Sequence, residues 1–237
     1  MDDGNKAIAI ITARGGSKRI PKKNIKEFCG KPIIAYSIEA AIKSELFDEV
    51  MVSTDSEEIA EIAKQYGAKI PFLRSKKTAD DYATTADVLV EVLNKYKENN
   101  RNFKYVCCIY PTAPFVTSNK LVEAMNLLIQ NEEVDAVSPV VKYSFPPQRA
   151  FIIKNNEVSI IHPETFQMRS QDFIPYYHDC GQYYCMKTES FMKVKRLVLN
   201  HTVPIIVPEM EVQDIDNIED WELAELKYQR MKEKCET

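Results

Sequence analysis

The sequence has little glycine, no long apolar run and only a small net charge. Six of its 237 residues are glycine, against a usual share of about 7%, and two of the six are adjacent at Gly15 and Gly16, so that position requires an explanation. No apolar run approaches the ~20 residues that span a membrane, and we expect no membrane contact. The net charge of −4 argues against binding of duplex DNA through bulk charge, so we expect no nucleic acid partner.

We also expect neither a secretion signal nor a cysteine framework. Asp2 and Asp3 stand where a signal peptide has basic residues, and the first apolar stretch ends at Arg14. There is no C-x-x-C pair and no spacing typical of zinc ligands among the six cysteines, which are Cys29, Cys107, Cys108, Cys180, Cys185 and Cys235. We expect reduced thiols and therefore a cytoplasmic protein.

Short apolar runs alternate with segments of helical periodicity over the first 140 residues. The composition, with 45% hydrophobic and 28% charged residues, is typical of a globular domain and excludes a disordered chain or a coiled coil. The predicted strands are Ala7–Ala13, Glu49–Ser53, Lys104–Tyr110, Asp135–Val141, Gln182–Lys187 and His201–Val207. The predicted helices are Ile33–Ser44, Ser56–Tyr66, Ala86–Lys97, Asn119–Gln130 and Ile218–Lys234. This alternation predicts an α/β fold with a mostly parallel sheet and helices on both faces.

Residues 143–178 depart from that pattern. They hold four of the twelve prolines, two short β-like runs and several aromatic residues. We therefore predict a single domain over residues 1–237, in which residues 143–178 form an inserted arm that leaves the core and meets a second subunit.

A basic loop, residues 14–24, begins where the first predicted strand ends. Five of its eleven residues are basic and none is acidic. Ligands of open α/β sheets bind at the carboxyl ends of strands. Glycine lets backbone N–H groups come close to an anion, and Lys and Arg attract phosphate oxygens. The loop therefore predicts a phosphate site, the alternative being a solvated basic surface.

The loop matches neither of the common glycine-rich nucleotide motifs. It lacks the upstream glycine of a Walker A sequence, Ser17 precedes Lys18, and it is not G-x-G-x-x-G. A P-loop kinase and a nicotinamide dehydrogenase are therefore disfavoured. A triphosphate held mainly by side-chain cations fits the pattern better.

Two carboxylates near the carboxy terminus form a second candidate site. Alternation in an extended segment directs Asp214 and Asp216 to the same face, on either side of Ile215. Two carboxylates on one face suit a hard divalent cation such as Mg²⁺ that bridges phosphate oxygens. The alternative is that Asp216 only caps the final helix.

Four further polar residues have two interpretations each. Asp55, which follows the second predicted strand, contacts a ribose or, with Thr54, caps the next helix. Arg74 reaches a base or phosphate or lies on the surface. Arg149 and Arg169 either clamp a carboxylate in two-pronged pairs or are surface arginines.

Several motifs together resemble the acylneuraminate cytidylyltransferases, which activate nonulosonic acids as CMP-sugars. The resemblance rests on IITARGGSKRIPKKNIKEFCGKPIIAYSIEAA, VSTDSEEIAEIAKQYGA, the PTAPF turn and QDIDNIEDW, and it extends over nearly the whole chain. FPPQRA and YYHDCGQYY are most similar to the pseudaminic acid branch. The resemblance implies a Rossmann-like core, CTP and Mg²⁺, a nine-carbon acidic sugar, and a homodimer whose arm lies across the partner's site.

The resemblance also implies roles for individual residues. The predicted catalytic residues are Arg14, Lys23 and Asp214. The predicted nucleotide-binding residues are Arg14, Gly15, Gly16, Ser17, Lys18, Lys23, Asn24, Arg74, Thr84 and Thr85. The predicted sugar-binding residues are Tyr110, Gln148, Arg149, Arg169, Gln182 and Tyr183. The predicted metal ligands are Asp214 and Asp216.

Two alternatives of function stay open. The acceptor is pseudaminic acid or another acid sugar, such as N-acetylneuraminate, legionaminate or an octulosonate. In a different class, the chain is a nucleotide-binding regulator that binds CTP without turnover.

Overall fold

The computed structural model describes the backbone of residues 6–236 and the side chains as far as residue 233. Asp2, Asp3 and the side chain of Cys235, which bear on two expectations above, lie outside that description. The strands are β1 (Ala7–Thr12), β2 (Glu27–Phe28), β3 (Lys31–Pro32), β4 (Glu49–Ser53), β5 (Tyr105–Ile109), β6 (Ala136–Lys142), β7 (Phe151–Lys154), β8 (Glu157–Ile160), β9 (Tyr177–Asp179), β10 (Tyr183–Lys187) and β11 (Thr202–Ile206). The helices are α1 (Ile33–Lys43), α2 (Glu57–Gln65), α3 (Lys76–Ala79), α4 (Thr85–Glu98), α5 (Ser118–Gln130), α6 (Thr188–Val194) and α7 (Ile218–Glu236).

Seven strands form one sheet, in the order β11, β6, β10, β5, β1, β4, with β9 paired to β6. The neighbours β4, β1 and β5 are parallel, and so are β6 and β11. Only β10, among the strands of that order, runs antiparallel to its neighbours β5 and β6. The sheet is therefore mostly parallel, as the sequence predicts.

Helices cover both faces of this sheet, which confirms the predicted layers. Ala7, Ala9 and Ile11 of β1 pack on one face with α1, α2 and α5. Ile8 and Ile10 pack on the opposite face with α4 and α6. Because both faces are buried, the central strands are continuously apolar rather than alternating.

A third apolar group, the aromatic cluster, joins the two ends of the chain. It consists of Ile20, Phe28, Ile33, Tyr36, Phe115, Ile215, Trp221, Ala224 and Tyr228. Phe28 meets the rings of Trp221 and Tyr228 in edge contacts, each with centroids 5.5 Å apart. Ile20 belongs to the basic loop and Ile215 separates the two predicted metal ligands. The cluster therefore brings these distant segments together.

The arm, residues 143–178, stands apart from this core. Within the described chain, β7 and β8 pair with each other and with no other strand, and all eight of their residues are exposed. The chain returns to the sheet through β9, which pairs with β6. The arm exposes large apolar side chains, among them Phe145, Phe151, Ile153, Val158, Ile174 and Tyr176.

A few elements differ from the sequence-based expectation. The short helices α3 and α6, strand β9 and the two-residue ladder of β2 with β3 were not predicted. The prediction that Thr54 and Asp55 cap α2 is wrong, because the cap is Ser56, whose hydroxyl accepts from the N–H of Ile59. Each helix in the described part of the chain is too short or too polar to cross a membrane.

Candidate functional site

A cleft of about 420 Å³ lies beyond the carboxyl ends of β1 and β5. The basic loop forms one side of it, Pro111 and Thr112 after β5 form another, and Asp216 closes it from the carboxy-terminal segment. The residues that line it are Thr12, Arg14, Ser17, Lys18, Arg19, Ile20, Lys23, Asn24, Pro111, Thr112 and Asp216. The strand ends therefore create the site at the position that the α/β architecture favours.

The basic loop contacts residues 214–216, which we call the acidic segment, at this cleft. Arg19 Nη2 lies 2.6 Å from Asp216 Oδ1, and Lys23 Nζ donates to the carbonyl oxygen of Ile215 at 2.6 Å. Burial lowers the pKa of Lys23, and the negative charges of Asp216 and Asp214 oppose that change. Residues that are almost two hundred positions apart in the sequence thus interact through their charges at this cleft.

The acidic segment has the predicted alternation. Ile215 is buried in the aromatic cluster, whereas Asp214 is exposed and Asp216 lines the cleft. The carboxylate of Asp216 does not cap α7, because Asn217 Oδ1 accepts from the N–H of Asp220 and Asp220 Oδ2 accepts from the N–H of Asn217. The capping alternative is therefore wrong, and the carboxylate of Asp216 forms its ion pair with Arg19 instead.

Two cations of the basic loop are paired with a residue that the sequence did not single out. Arg14 Nη1 lies 2.8 Å from Asp81 Oδ1, and Lys18 Nζ lies 2.5 Å from Asp81 Oδ2. Arg14 also donates to the carbonyl oxygen of Asp80. Nothing in the sequence near Asp81 connects it with a loop more than sixty residues earlier.

The remaining loop residues divide into exposed and buried groups. Gly16 is exposed, and Ser17 lines the cleft. Asn24 is only 5% exposed and donates from Nδ2 to the carbonyl oxygen of Arg14 at 2.9 Å. The N–H of Gly15 donates to Asp55 Oδ1 at 2.8 Å. Asp55 therefore has a partner in the loop, where the sequence suggested a ribose or a helix.

Arg74, Thr84 and Thr85 lie at the rim of the sheet beyond β4 and at the start of α4. Arg74 is buried and donates to the carbonyl oxygen and hydroxyl of Ser53, and burial lowers its pKa. Thr84 caps α4 in a reciprocal pair with Asp87. The hydroxyl of Thr85 lies 3.3 Å from that of Tyr110. None of the three predicted nucleotide contacts lines the cleft itself.

Gln148 and Arg149 line a second cleft, of about 390 Å³, which lies within the arm. Arg149 Nη2 donates to the carbonyl oxygen of Met168, and its guanidinium lies over the ring of Phe173. Gln148 Oε1 and Arg149 Nε are buried without a hydrogen-bond partner among the described residues. The two clefts share no lining residue. Arg169 lines neither, being exposed and paired with Asp172 at 3.5 Å.

The other predicted sugar contacts lie on or beside β5 and β10. Tyr110 is partly buried, and its ring packs 5.7 Å from that of Tyr184. Gln182 is buried and donates to the carbonyl oxygen of Glu211. Tyr183 has no exposed surface and belongs to the core. The structure therefore does not bring Tyr183 to either cleft, because its side chain faces α5 while that of Tyr184 faces the opposite side.

The donor set at Asp214 and Asp216 suits a cation that is shared with a ligand. Within the described residues there is no group of three or more His, Cys, Asp or Glu side chains that encloses a metal. Mg²⁺ commonly takes one or two carboxylates together with phosphate oxygens and water rather than a complete protein cage. The two carboxylates beside a cationic cleft therefore fit Mg²⁺ brought by a triphosphate.

Comparison with known proteins gives consistent matches over most of the chain. A family model described as cytidylyltransferase matches residues 8–232. The chain is 41% identical over 224 residues to a pseudaminic acid cytidylyltransferase of Campylobacter jejuni, covering 94% of this chain and 96% of that one. It is 33% identical over 222 residues to the CMP-N,N'-diacetyllegionaminic acid synthase of Legionella pneumophila, covering 92% and 94%.

A solved structure of CMP:2-keto-3-deoxy-manno-octonic acid synthetase complexed with CTP is similar in fold. Its TM-score is 0.69 and its identity 16%, and the match covers 97% of this chain and 100% of that one. At that identity the likeness concerns the fold alone.

Proposed function

The chain belongs to the cytidylyltransferase family, whose members are nucleotidyltransferases, and from that premise we propose that it transfers CMP from CTP to the anomeric hydroxyl of pseudaminic acid, with release of pyrophosphate. The observation that carries this proposal is the meeting of the basic loop with Asp216 at one cleft, with Asp214 near enough for its charge to act on Lys23. A triphosphate binds to positively charged side chains, and the divalent metal ion that accompanies it binds to carboxylates. The similarity to the Campylobacter enzyme supports pseudaminic acid as the acceptor.

The reaction requires little more than positioned charge. The sugar hydroxyl attacks the α-phosphorus of CTP, and the bond from that phosphorus to the bridging oxygen of pyrophosphate breaks. Negative charge grows on the equatorial and leaving oxygens, and positioned cations stabilise it. We assign Arg14 and Lys23 to the α- and leaving phosphates, and Lys18 to the outer phosphates. All three line the cleft.

The acidic segment completes the reaction. Asp214 and Asp216 would hold Mg²⁺, which reduces the repulsion among phosphate oxygens when bound. Asp216 is engaged with Arg19, whereas Asp214 is exposed. We therefore assign the hydroxyl proton to Asp214 as acceptor. No proton transfer through the cation is required for this assignment.

We assign binding of the acceptor sugar to the arm. The acidic sugar needs a cation for its carboxylate, and Arg149 beside Gln148 in the second cleft offers one, with buried atoms that have no other partner. Because the two clefts share no lining residue, we propose a homodimer in which the arm of one subunit serves the nucleotide cleft of the other. The described cysteines are all unpaired, which supports the cytoplasm as its compartment.

The test is a pyrophosphate-release assay with CTP, Mg²⁺ and separate acid sugars. We expect product with pseudaminic acid and at least tenfold lower kcat/KM with N-acetylneuraminate, legionaminate and an octulosonate, since unpaired polar groups penalise the wrong acceptor. Preference for another acid sugar would keep the reaction and change the acceptor. CTP binding without pyrophosphate from any of the sugars would instead indicate the regulator.

A further inference from the structure

We propose that Asp55 is a positioning residue that, together with Asn24, clamps a single peptide group of the basic loop and thereby fixes the direction in which Arg14 leaves the backbone. The inference rests on the proposed function, because Arg14 is the cation that the clamp directs. It gives Asp55 a role without contact to CTP, sugar or metal. It also gives a reason for one of the two adjacent glycines.

The two hydrogen bonds act on opposite ends of the same amide. Asn24 Nδ2 donates to the carbonyl oxygen of Arg14 at 2.9 Å, and the N–H of Gly15 donates to Asp55 Oδ1 at 2.8 Å. That carbonyl and that N–H belong to the peptide bond between Arg14 and Gly15. Since a peptide group is planar, holding both of its polar atoms fixes its orientation.

The two residues that form the clamp belong to different parts of the fold. Asn24 is buried in the turn at Lys23–Ile25. Asp55 is exposed and lies two residues after β4, whose last residue, Ser53, accepts at its carbonyl oxygen from the N–H of Ala13 and from Arg74. The clamp therefore connects the basic loop to the end of a strand of the central sheet.

The fit between the loop and the end of β4 explains Gly15 but not Gly16. A Cβ atom added at Gly15 would lie 3.2 Å from the Cβ of Ser56, whereas one added at Gly16 would meet nothing within 4 Å. Neither glycine has a positive φ. Gly15 therefore avoids a tight contact with Ser56 at this close approach. Its N–H is already used by Asp55, so it is not a phosphate donor of the kind that a glycine-rich loop usually provides.

The experiment compares Asp55→Ala with Asp55→Asn. Misdirection of Arg14 in Asp55→Ala is expected to lower kcat/KM for CTP about tenfold to hundredfold, the range that a small misplacement produces, with the KM for the sugar within twofold of wild type. Asp55→Asn retains an oxygen that accepts from the N–H of Gly15 and is expected to restore most of the activity. Equal loss in both variants would show that charge, not the clamp, matters, and wild-type activity in Asp55→Ala would overturn the inference.

A second measurement does not depend on catalysis or on the stability of Asp55→Ala. Hydrogen exchange at the amide of Gly15 is expected to be slow in the wild type, equally slow in Gly16→Ala and fast in Gly15→Ala at the same melting temperature. Fast exchange in the wild type, or slow exchange in both glycine variants, would contradict the clamp. If the wild type forms no product with any acid sugar, the proposed function fails, while this exchange pattern still decides whether the clamp exists.

Discussion

Lys23 lies between the cations of the basic loop and the carboxylates of the carboxy-terminal segment. Its ammonium group donates to Ile215 and is acted on by the charges of Asp216, Asp214, Arg19 and Arg14. The hydrogen bond to Ile215 fixes the ammonium group before the substrate arrives, and the two carboxylates oppose, without outweighing, the lowering of its pKa by burial. Lys23 can therefore contact phosphate oxygens without the large reorganisation that a solvated lysine requires.

The first prediction concerns the two charges that the mechanism uses most. Lys23→Ala and Asp214→Ala are each expected to reduce kcat by a factor on the order of 10²–10³, the usual effect of removing a charged transition-state contact. Pyrophosphate release measures the rate, and a melting curve confirms that the variants fold. Exposed Lys97→Ala, far from the cleft on α4, serves as the control. A variant that stays within tenfold of wild type removes that residue from the mechanism.

The second prediction concerns Asp81, which pairs with Arg14 and Lys18 at the position where phosphates are expected. Asp81→Asn is expected to lower the Kd for CTP by up to about fivefold, the range of exposed ion pairs. Isothermal titration at low salt measures the change, and the difference from wild type should shrink at high salt. Asp80→Asn removes an adjacent charge that forms no side-chain ion pair with any described residue, and it is the control. Weaker binding in Asp81→Asn would mean that Asp81 orients the cations instead.

The sequence predicts individual site residues where their charge and their position along the chain point to the same site. The basic loop and the Asp214–Asp216 pair follow from charge patterning and alternation, and the structure places Asp216 in the cleft of the loop and Asp214 near enough to act on the charge of Lys23. The sequence gives no sign of the Asp81 partnership or of the contact of Asp55 with Gly15, because both depend on how distant loops fold back. Tyr183 and Tyr184 are adjacent, buried aromatic residues, and the pleat of β10 alone decides which of the two packs on each face of the sheet.

At the scale of secondary-structure elements, long apolar strands and long amphipathic helices were the most predictable features. Strand β4 has the predicted bounds, and β1 and β5 differ from prediction only at their ends. Helices α3 and α6, of four and seven residues, were missed because a short helix is stabilised mainly by its tertiary contacts. The direction of β10 also depends on the arm that precedes it, which local pattern does not reveal.

The third prediction concerns the junction between α3 and α4. The carboxylate of Glu91 accepts from the N–H and hydroxyl of Ser75, from Thr78 and from Lys95. Partial burial alone would raise the pKa of Glu91, but the hydrogen bonds from Lys95, Thr78 and Ser75 outweigh it and lower the pKa to about 2.

A pKa that is lower in the folded than in the unfolded chain adds stability above about pH 4.5, and this contribution is lost as the pH falls towards 2. Glu91→Gln is therefore expected to lower the free energy of unfolding by about 3 kcal/mol at most at pH 7. The gap between wild type and variant should close in urea titrations carried out below pH 4.5. Glu98→Gln, an exposed position on the same helix, is the control, and a gap independent of pH would contradict the assignment.

At the scale of the whole molecule, the arm is the feature whose hairpin of β7 and β8 lies outside the central sheet. A two-stranded hairpin is marginal by itself, yet β7 and β8 pair only with each other in the described chain and expose apolar side chains on both strands. Ile153 and Val158 are partners in that ladder and are 72% and 63% exposed. The sequence predicted the arm from its prolines and aromatic residues, whereas the homodimer in which it contacts a second subunit is our proposal.

The fourth prediction tests that assembly. The double variant Ile153→Lys, Val158→Lys is expected to sediment as a monomer and to lose sugar turnover by at least tenfold. It should still bind CTP, because the nucleotide cleft shares no residue with the arm. Sedimentation velocity and CTP titration measure the two properties. Lys154→Ala, on the same strand, should sediment as the wild type does, and a wild type that is itself monomeric would contradict the dimer.

The aromatic cluster has a consequence for the order in which the cleft forms. Trp221 and Tyr228 on α7 pack against Phe28, so the carboxylates before α7 reach the basic loop only after this helix has docked. Until then the cations of the loop have no charge from Asp214 or Asp216 set against them. Assembly of the cleft is therefore coupled to docking of α7.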